Sequence, residues 1–341
     1  MITIPATGRR LVFPSGKNVE IEAFSLSAPA ADEVLVETIR SMLSTGTETI
    51  VYNRKFDIGT HWDDWVRYPF YPGYASVGVV GAVGQDVTAL KIGDRVAYRV
   101  GHRSHQVLKA DQCYPVPLGV NPDAAVWFPL AKIAGHGVRA ANIRLGDAVV
   151  VIGAGPIGQM ATRWALACGA GKVISLDVAE SRLKMAEAAG AIAVTVKPGQ
   201  EIDTITGILN GARPPVIIDS TGNAAVLKTA FALVANGGTV VLLGDTGSPG
   251  SQTLTSDVIT RGLKLVGAHD AHNSPEWNNV VAAETFFAFL HDGRFSVEGL
   301  NTHHFSPEDC KEAYTLATED RLRTMGILFD WSDASSALST V

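Results

Sequence analysis

The chain has 341 residues, of which 46% are apolar and 18% charged, a balance that buries a sizeable core, argues against disorder and gives a prior of two domains. A formal net charge of −6, with no long Lys/Arg run, argues against a nucleic-acid partner. The three cysteines, Cys113, Cys168 and Cys310, are scattered and form no CxxC, which excludes a disulfide framework or a zinc knot and points to a reducing cytoplasm.

Residues 1–118 read as β-rich. Residues 33–38 alternate at period two, as a half-buried strand does. Residues 75–83 form a Gly/Val run typical of a packed strand, and residues 91–97 read as a turn into another. The pattern then changes. The apolar run 148–152 predicts a strand buried on both faces. Helix 156–168, strand 173–176, helix 180–189, strand 216–219, helix 224–235, and strands 239–243 and 263–266 follow. Such alternation predicts a doubly wound parallel sheet over residues 119–270. A helix over 276–290 and short mixed segments complete the chain. Residues 271–341 are too few for a core of their own and are expected to fold back on the first part. No stretch has the length of a membrane span or the look of a secretion signal.

Gly153-Ala154-Gly155-Pro156-Ile157-Gly158 is a GxGxxG directly after the strand at 148–152 and opening a helix. Glycines there permit a tight turn, backbone approach to a diphosphate and close helix–strand packing, and the helix start offers free N–H groups. The next strand ends at Asp177, where an acid accepts ribose hydroxyls and repels a 2′-phosphate. The expected cofactor is therefore NAD. Arg182, on the following helix, either lies near the adenosine or is a solvated helix residue. Ser220-Thr221, Gly244 and His269 follow later strands and are expected to line the nicotinamide half, since ligands of open sheets bind beyond such strand ends.

With these motifs in place, the sequence resembles the medium-chain dehydrogenase/reductase superfamily, the alcohol and polyol dehydrogenases. The carriers are Ser44-Thr45-Gly46-Thr47-Glu48, Pro72-Gly73-Tyr74-Ala75-Ser76-Val77-Gly78, Gly93-Asp94-Arg95-Val96, the glycine fingerprint, Asp177 with Ser181-Arg182, and Gly326-Ile327-Leu328-Phe329-Asp330. The first two stretches are similar to those of the bacteriochlorophyllide dehydrogenase branch. The resemblance implies an α/β chain with a GroES-like catalytic domain beside a Rossmann domain, a small-molecule substrate, and a homodimer or homotetramer.

It also marks a departure. Zinc-using members carry Cys-Gly-Thr-Asp at residues 45–48, Gly-His-Glu at 73–75, and a Glu or Cys ligand at Phe128, before Pro129-Leu130. Thr45, Tyr74 and Phe128 cannot replace a Cys, His and carboxylate set, so no metal is expected. Hydrogen-bond donors and an acid–base group must then hold the charge that a metal would stabilise. The resemblance puts Thr47 at the proton-relaying hydroxyl. Tyr74 either donates to the substrate oxygen or fills the lost metal site. Glu48 joins the catalytic candidates, a structural ion pair being its other reading. His61, in the stretch His61-Trp62-Asp63-Asp64-Trp65, is either the acid–base group or a surface residue. Lys132 and His136 face the cleft or pack. His269 and His272 have HxxH spacing but no further ligand near in sequence, and read as cleft or dimer-edge residues.

These features predict a zinc-independent, NAD-dependent dehydrogenase of a secondary alcohol. A zinc-free enone or quinone reductase and a nucleotide-binding protein without turnover are the alternatives.

Overall fold

The computed structural model describes residues 5–332, apart from residues 196 and 198. In the first stretch the strands are β1 (Thr7–Val12), β2 (Glu20–Ser25), β3 (Glu33–Leu43), β4 (Ser76–Val83), β5 (Arg95–Tyr98), β6 (His105–Lys109) and β7 (Tyr114–Pro115). Two short helices, α1 (Thr47–Asn53) and α2 (His61–Trp65), lie between β3 and β4. Helices α3 (Pro122–Ala125) and α4 (Phe128–Ala140) lead into the alternating stretch. It runs β8 (Ala148–Ile152), α5 (Pro156–Ala167), β9 (Lys172–Asp177), α6 (Glu180–Ala188), β10 (Ile192–Thr195), α7 (Glu201–Ile208), β11 (Val216–Asp219), α8 (Ala224–Leu233), β12 (Thr239–Leu242), α9 (Asp257–Thr260) and β13 (Lys264–Gly267). The chain closes with α10 (Asn279–His291), β14 (Asn301–Phe305), α11 (Cys310–Glu319) and β15 (Gly326–Asp330).

Two larger sheets result. One has the order β10-β9-β8-β11-β12-β13, and every pair in it is parallel. The strand order reverses between β8 and β11, the crevice where open α/β sheets bind ligands. Alternation along β8 shows why this strand is wholly apolar. Val149 and Val151 enter the core shared with α4, α5 and α10, while Val150 and Ile152 enter the core under α7 and α8.

The other sheet has the order β14-β15-β3-β4-β5-β7, with β6 also paired to β3. Strand β15 pairs antiparallel with β3, Phe329 opposite Ser41, so residues far apart in the chain complete one sheet. The chain's end thus rejoins the first part through β14 and β15. Helix α10, before them, buries Ala282, Ala283, Phe286 and Phe287 in a core that takes in α4 together with Met42, Ala75, Val77 and Tyr114 of the first part. No helix among the described residues is long and apolar enough to cross a membrane.

Candidate functional site

The glycine turn is built as its motif demands. Gly153 has φ +92°, and a Cβ there would lie 2.7 Å from Ser220 Oγ. A Cβ on Gly158 would lie 1.8 Å from the Gly153 carbonyl oxygen, so the third glycine lets α5 close onto the turn. Gly155 differs: a Cβ there would meet only Arg182 Nη1, at 3.6 Å. It is also the N-cap of α5, and no side chain caps that helix start, with Pro156 and Ile157 in the first turn. The open side of the turn therefore presents backbone and unsatisfied N–H groups, which suits a diphosphate.

Asp177 ends β9 beside this turn. Its Oδ2 accepts from Ala154 N at 2.6 Å and its Oδ1 from Ala179 N at 2.8 Å. The carboxylate thus fastens the glycine turn to the next strand, and each oxygen keeps lone-pair capacity for another donor. Arg182 is neither solvated nor free. It is buried, and its Nη2 donates to the carbonyls of Arg321 and Thr324. Burial pushes its guanidinium below its usual value, against the pull of Asp177. The sequence reading of a solvated residue is corrected: Arg182 braces the turn against the 321–324 loop.

Beyond β11, Ser220 Oγ donates to the carbonyls of Ile152 and Gly153 at 3.0 Å each. Thr221 Oγ1 donates to Asp219 Oδ1 at 2.6 Å, and Gly244 N to the Asp219 carbonyl at 2.9 Å. Burial pushes the Asp219 carboxyl up, although the donors from Thr221 and Gly222 pull the other way. These loops and His269, after β13, stand at the carboxyl ends of neighbouring strands.

Across the cleft lies a cluster of hydroxyls. Ser44 Oγ and Tyr74 Oη are 2.7 Å apart, and Thr47 also bonds the Tyr74 phenol. The Arg99 guanidinium lies 5.8 Å from the centre of the Tyr74 ring. Burial raises the phenol's pKa above its usual value, opposed by Ser44, Thr47 and Arg99 and assisted by the Glu48 charge. Thr45 is buried and its Oγ1 makes no hydrogen bond. Phe128 is buried, its ring centre 5.1 Å from that of Tyr114 and 5.9 Å from that of Phe287. A lone hydroxyl, a phenol of raised pKa and a packed phenyl ring do not make a zinc donor set. The residues present do not fit a zinc at these positions.

Glu48 is only 2% exposed. It accepts from Ser44 N at 2.8 Å, lies 3.0 Å from His102 Nε2 and accepts from Tyr314 Oη. Every one of those partners is buried, which suits the structural reading of Glu48 rather than the catalytic one. It locks the start of α1 to β15's neighbour α11. Sequence reasoning missed His102 and Tyr314, since neither sits in a motif.

His61 opens α2 on the first part of the chain and meets Asp245, after β12, Nε2 to Oδ2 at 2.9 Å. His269 Nε2 lies 4.0 Å from the same oxygen. His272 follows, its ring centre 6.2 Å from that of His269, and then His136, 6.1 Å from His272. The structure therefore brings His61 and His269 together and puts Asp245 between them. Asp245 belongs to the loop expected near the nicotinamide half, but its pairing with His61 has no local signal. Lys132 packs: it is 2% exposed and donates to the Asp270 carbonyl and to Asp270 Oδ1, each at 2.8 Å.

Two family models match the chain, "Alcohol dehydrogenase GroES-like domain" over residues 30–120 and "Zinc-binding dehydrogenase" over residues 156–285. The second stretch contains none of Thr45, Tyr74 and Phe128. The chain is 27% identical over 324 residues to L-threonine 3-dehydrogenase of Bacillus licheniformis, covering 83% of this chain and 88% of that protein. It is 28% identical over 344 residues to sorbitol dehydrogenase of Bombyx mori, covering 90% and 94%. An alcohol dehydrogenase of Escherichia coli, solved with NADH, superposes with a TM-score of 0.81 at 21% identity, covering 96% of this chain and 100% of that one.

Proposed function

This chain belongs to the medium-chain dehydrogenase/reductase superfamily as an alcohol dehydrogenase-like oxidoreductase, and from that premise we propose that it moves a hydride between NAD(H) and a secondary alcohol or its ketone without a catalytic zinc. The observation that carries this reading is the Ser44–Tyr74–Thr47 hydroxyl cluster, in which Tyr74 stands where the resemblance puts a zinc ligand. The substrate class is a polyol, a sugar derivative or another hydroxylated small molecule. Relatives named for threonine and sorbitol support that class.

When bound, the dinucleotide supplies the hydride acceptor or donor. The protein's own part is to bind, orient and move protons. Gly155 and the uncapped start of α5 receive the diphosphate, with Gly153, Pro156, Ile157 and Gly158 shaping the turn. Asp177 takes the ribose hydroxyls and disfavours a 2′-phosphate, and Arg182 supports the turn from beneath. Ser220, Thr221, Gly244 and His269 line the nicotinamide half. Tyr74 keeps its proton at neutral pH and donates a hydrogen bond to the substrate oxygen, while Ser44 and Thr47 orient the phenol. His61 takes up or returns the proton, held by Asp245.

We further place the protein in a reducing cytoplasm as a homodimer or homotetramer. Three free cysteines support the first point. Strand β13, at the edge of its sheet, supports the second.

The test uses chelator-stripped protein and the absorbance of reduced nicotinamide. NAD with a panel of secondary alcohols and polyols is set against NADPH with enones and quinones. Turnover of at least one alcohol with NAD is expected, at a rate that stripping does not lower. Turnover confined to the NADPH panel, nucleotide binding with no turnover in either panel, or activity returning only with added zinc would each overturn the proposal.

A further inference from the structure

Three side chains from three separate segments converge at the cleft: His61 from α2, Asp245 after β12 and His269 after β13. One donor atom of each lies within 4.8 Å of the others. The shortest pair is His61 Nε2 to Asp245 Oδ2 at 2.9 Å, and His269 Nε2 lies 4.0 Å from that oxygen. A tetrahedral ion with bonds of about 2.0–2.1 Å separates its ligands by about 3.3 Å, which falls between these two spacings. We propose that His61, Asp245 and His269 form a binding site for a divalent transition-metal ion, separate from the Thr45, Tyr74 and Phe128 positions.

The donor set selects the class of ion. Two imidazoles and one carboxylate suit zinc, cobalt or nickel, whereas magnesium and calcium demand oxygen shells. Three protein ligands leave a coordination position for water or a small oxygen ligand. All three residues are exposed, so a free ion reaches them directly.

His61 and Asp245 are held in place by contacts that do not involve the ion. Trp62, the neighbour of His61, is buried in the core with Val66 and Phe13, which fixes the start of α2. The loop bearing Asp245 is tied to the loop before α2. Asp57 N donates to the Gly247 carbonyl at 2.8 Å, and Ser248 Oγ donates to Asp57 Oδ1 at 3.0 Å. A Cβ on Gly247 would lie 2.0 Å from the Lys55 carbonyl oxygen, so only glycine permits that approach. His269 Nδ1 accepts from Ala271 N at 3.2 Å, which turns Nε2 toward Asp245. Coordination through Nε2 shifts the ring proton to Nδ1 and exchanges that long hydrogen bond for a metal–nitrogen bond.

Because His61 comes from one part of the chain and Asp245 and His269 from the other, the ion fastens the two across the cleft. It also competes with a proton for His61 Nε2 and so withdraws His61 from acid–base work. Only this last consequence rests on the function proposed above, and the site itself stands on side-chain geometry.

The experiment measures binding rather than turnover. Chelator-stripped full chain is titrated with Co²⁺, read by visible absorption, with Zn²⁺ as competitor. One ion per chain is expected, with a rise in melting temperature on saturation. His61→Ala, Asp245→Asn and His269→Ala should each weaken binding at least about tenfold, with metal-free melting temperatures close to that of the parent. His304→Ala, in the exposed part of the His303-His304 pair, should leave binding unchanged. No saturable binding at about 100 µM ion, or binding that survives His61→Ala and His269→Ala, would overturn the site.

Discussion

Tyr74 carries a hydroxyl at a position that the sequence resemblance gives to a zinc ligand, and its surroundings decide what that hydroxyl can do. Burial holds its proton on, and the nearby Glu48 charge adds to that effect. The phenol is therefore a donor across the neutral range, and loss of its proton can limit turnover only above about pH 10. Tyr74→Phe keeps the ring and removes the donor. Steady-state kinetics should show kcat lower by about 10²–10³ with KM within a few-fold; an unchanged kcat would take Tyr74 out of the chemistry. Asp177→Ala should weaken NAD binding about tenfold or more and narrow the preference over NADP, as loss of a charged hydrogen-bond acceptor does, measured by titration of nucleotide fluorescence. Thr47, Tyr74 and Asp177 stand out as candidates in the sequence because each falls in a short motif with a known chemical demand. The partners of Glu48 do not: His102 and Tyr314 lie 54 and 266 residues away, and no local pattern reports such a pairing. Asp245 was hidden for the same reason, 184 residues from His61.

At the scale of the element, the turn from β8 into α5 separates folding from binding within one motif. A Cβ on Gly158 collides with the Gly153 carbonyl, while a Cβ on Gly155 meets only one guanidinium nitrogen at 3.6 Å. Gly158→Ala must push α5 off the turn, at a cost of about 1–3 kcal/mol, and should lower the melting temperature. Gly155→Ala should melt like the parent yet bind NAD at least about tenfold more weakly, since its methyl occupies room the diphosphate needs. Equal melting temperatures and equal NAD affinities for the two variants would contradict this division. Strands β8, β9, β11 and β12 of the parallel sheet were readable because both faces are largely buried and the side chains are mostly apolar. Strands β1, β2 and β10 gave no such signal. Their residues are largely part-exposed, and they are strands because a neighbour pairs with them. The placement of α10 was hidden for a related reason: a helix rich in phenylalanine announces that it is buried, and only the assembled core shows against what.

The whole molecule is joined by a charged group as well as by apolar packing. Arg99, just after β5, and Lys132, on α4, both pair with Asp270, beyond β13, and Arg99 also reaches Asn279 at the start of α10. The seven-stranded mixed sheet, the connecting helix and the parallel sheet thus meet at one carboxylate. Burial pushes that carboxyl up, but Arg99 and Lys132 outweigh burial and hold it below the usual carboxylate value. A carboxyl depressed in the folded state contributes stability in full above its unfolded value, about 3.9, and loses it as pH falls through the lower folded value. The acid limb of the unfolding profile should therefore steepen below about pH 4. Asp270→Ala should flatten that limb and, near pH 7, cost about 3 kcal/mol in urea unfolding, because it leaves the buried Lys132 ammonium without its partner. Asp270→Ala combined with Lys132→Met should recover much of that loss, since an apolar side chain of similar length removes the stranded charge. The double variant would still release Arg99 from its carboxylate partner. Because Arg99 lies against the Tyr74 ring, recovery of stability without recovery of kcat is the outcome that makes this clamp a positioning device as well as a fastening. Recovery of both would reduce it to a fastening alone.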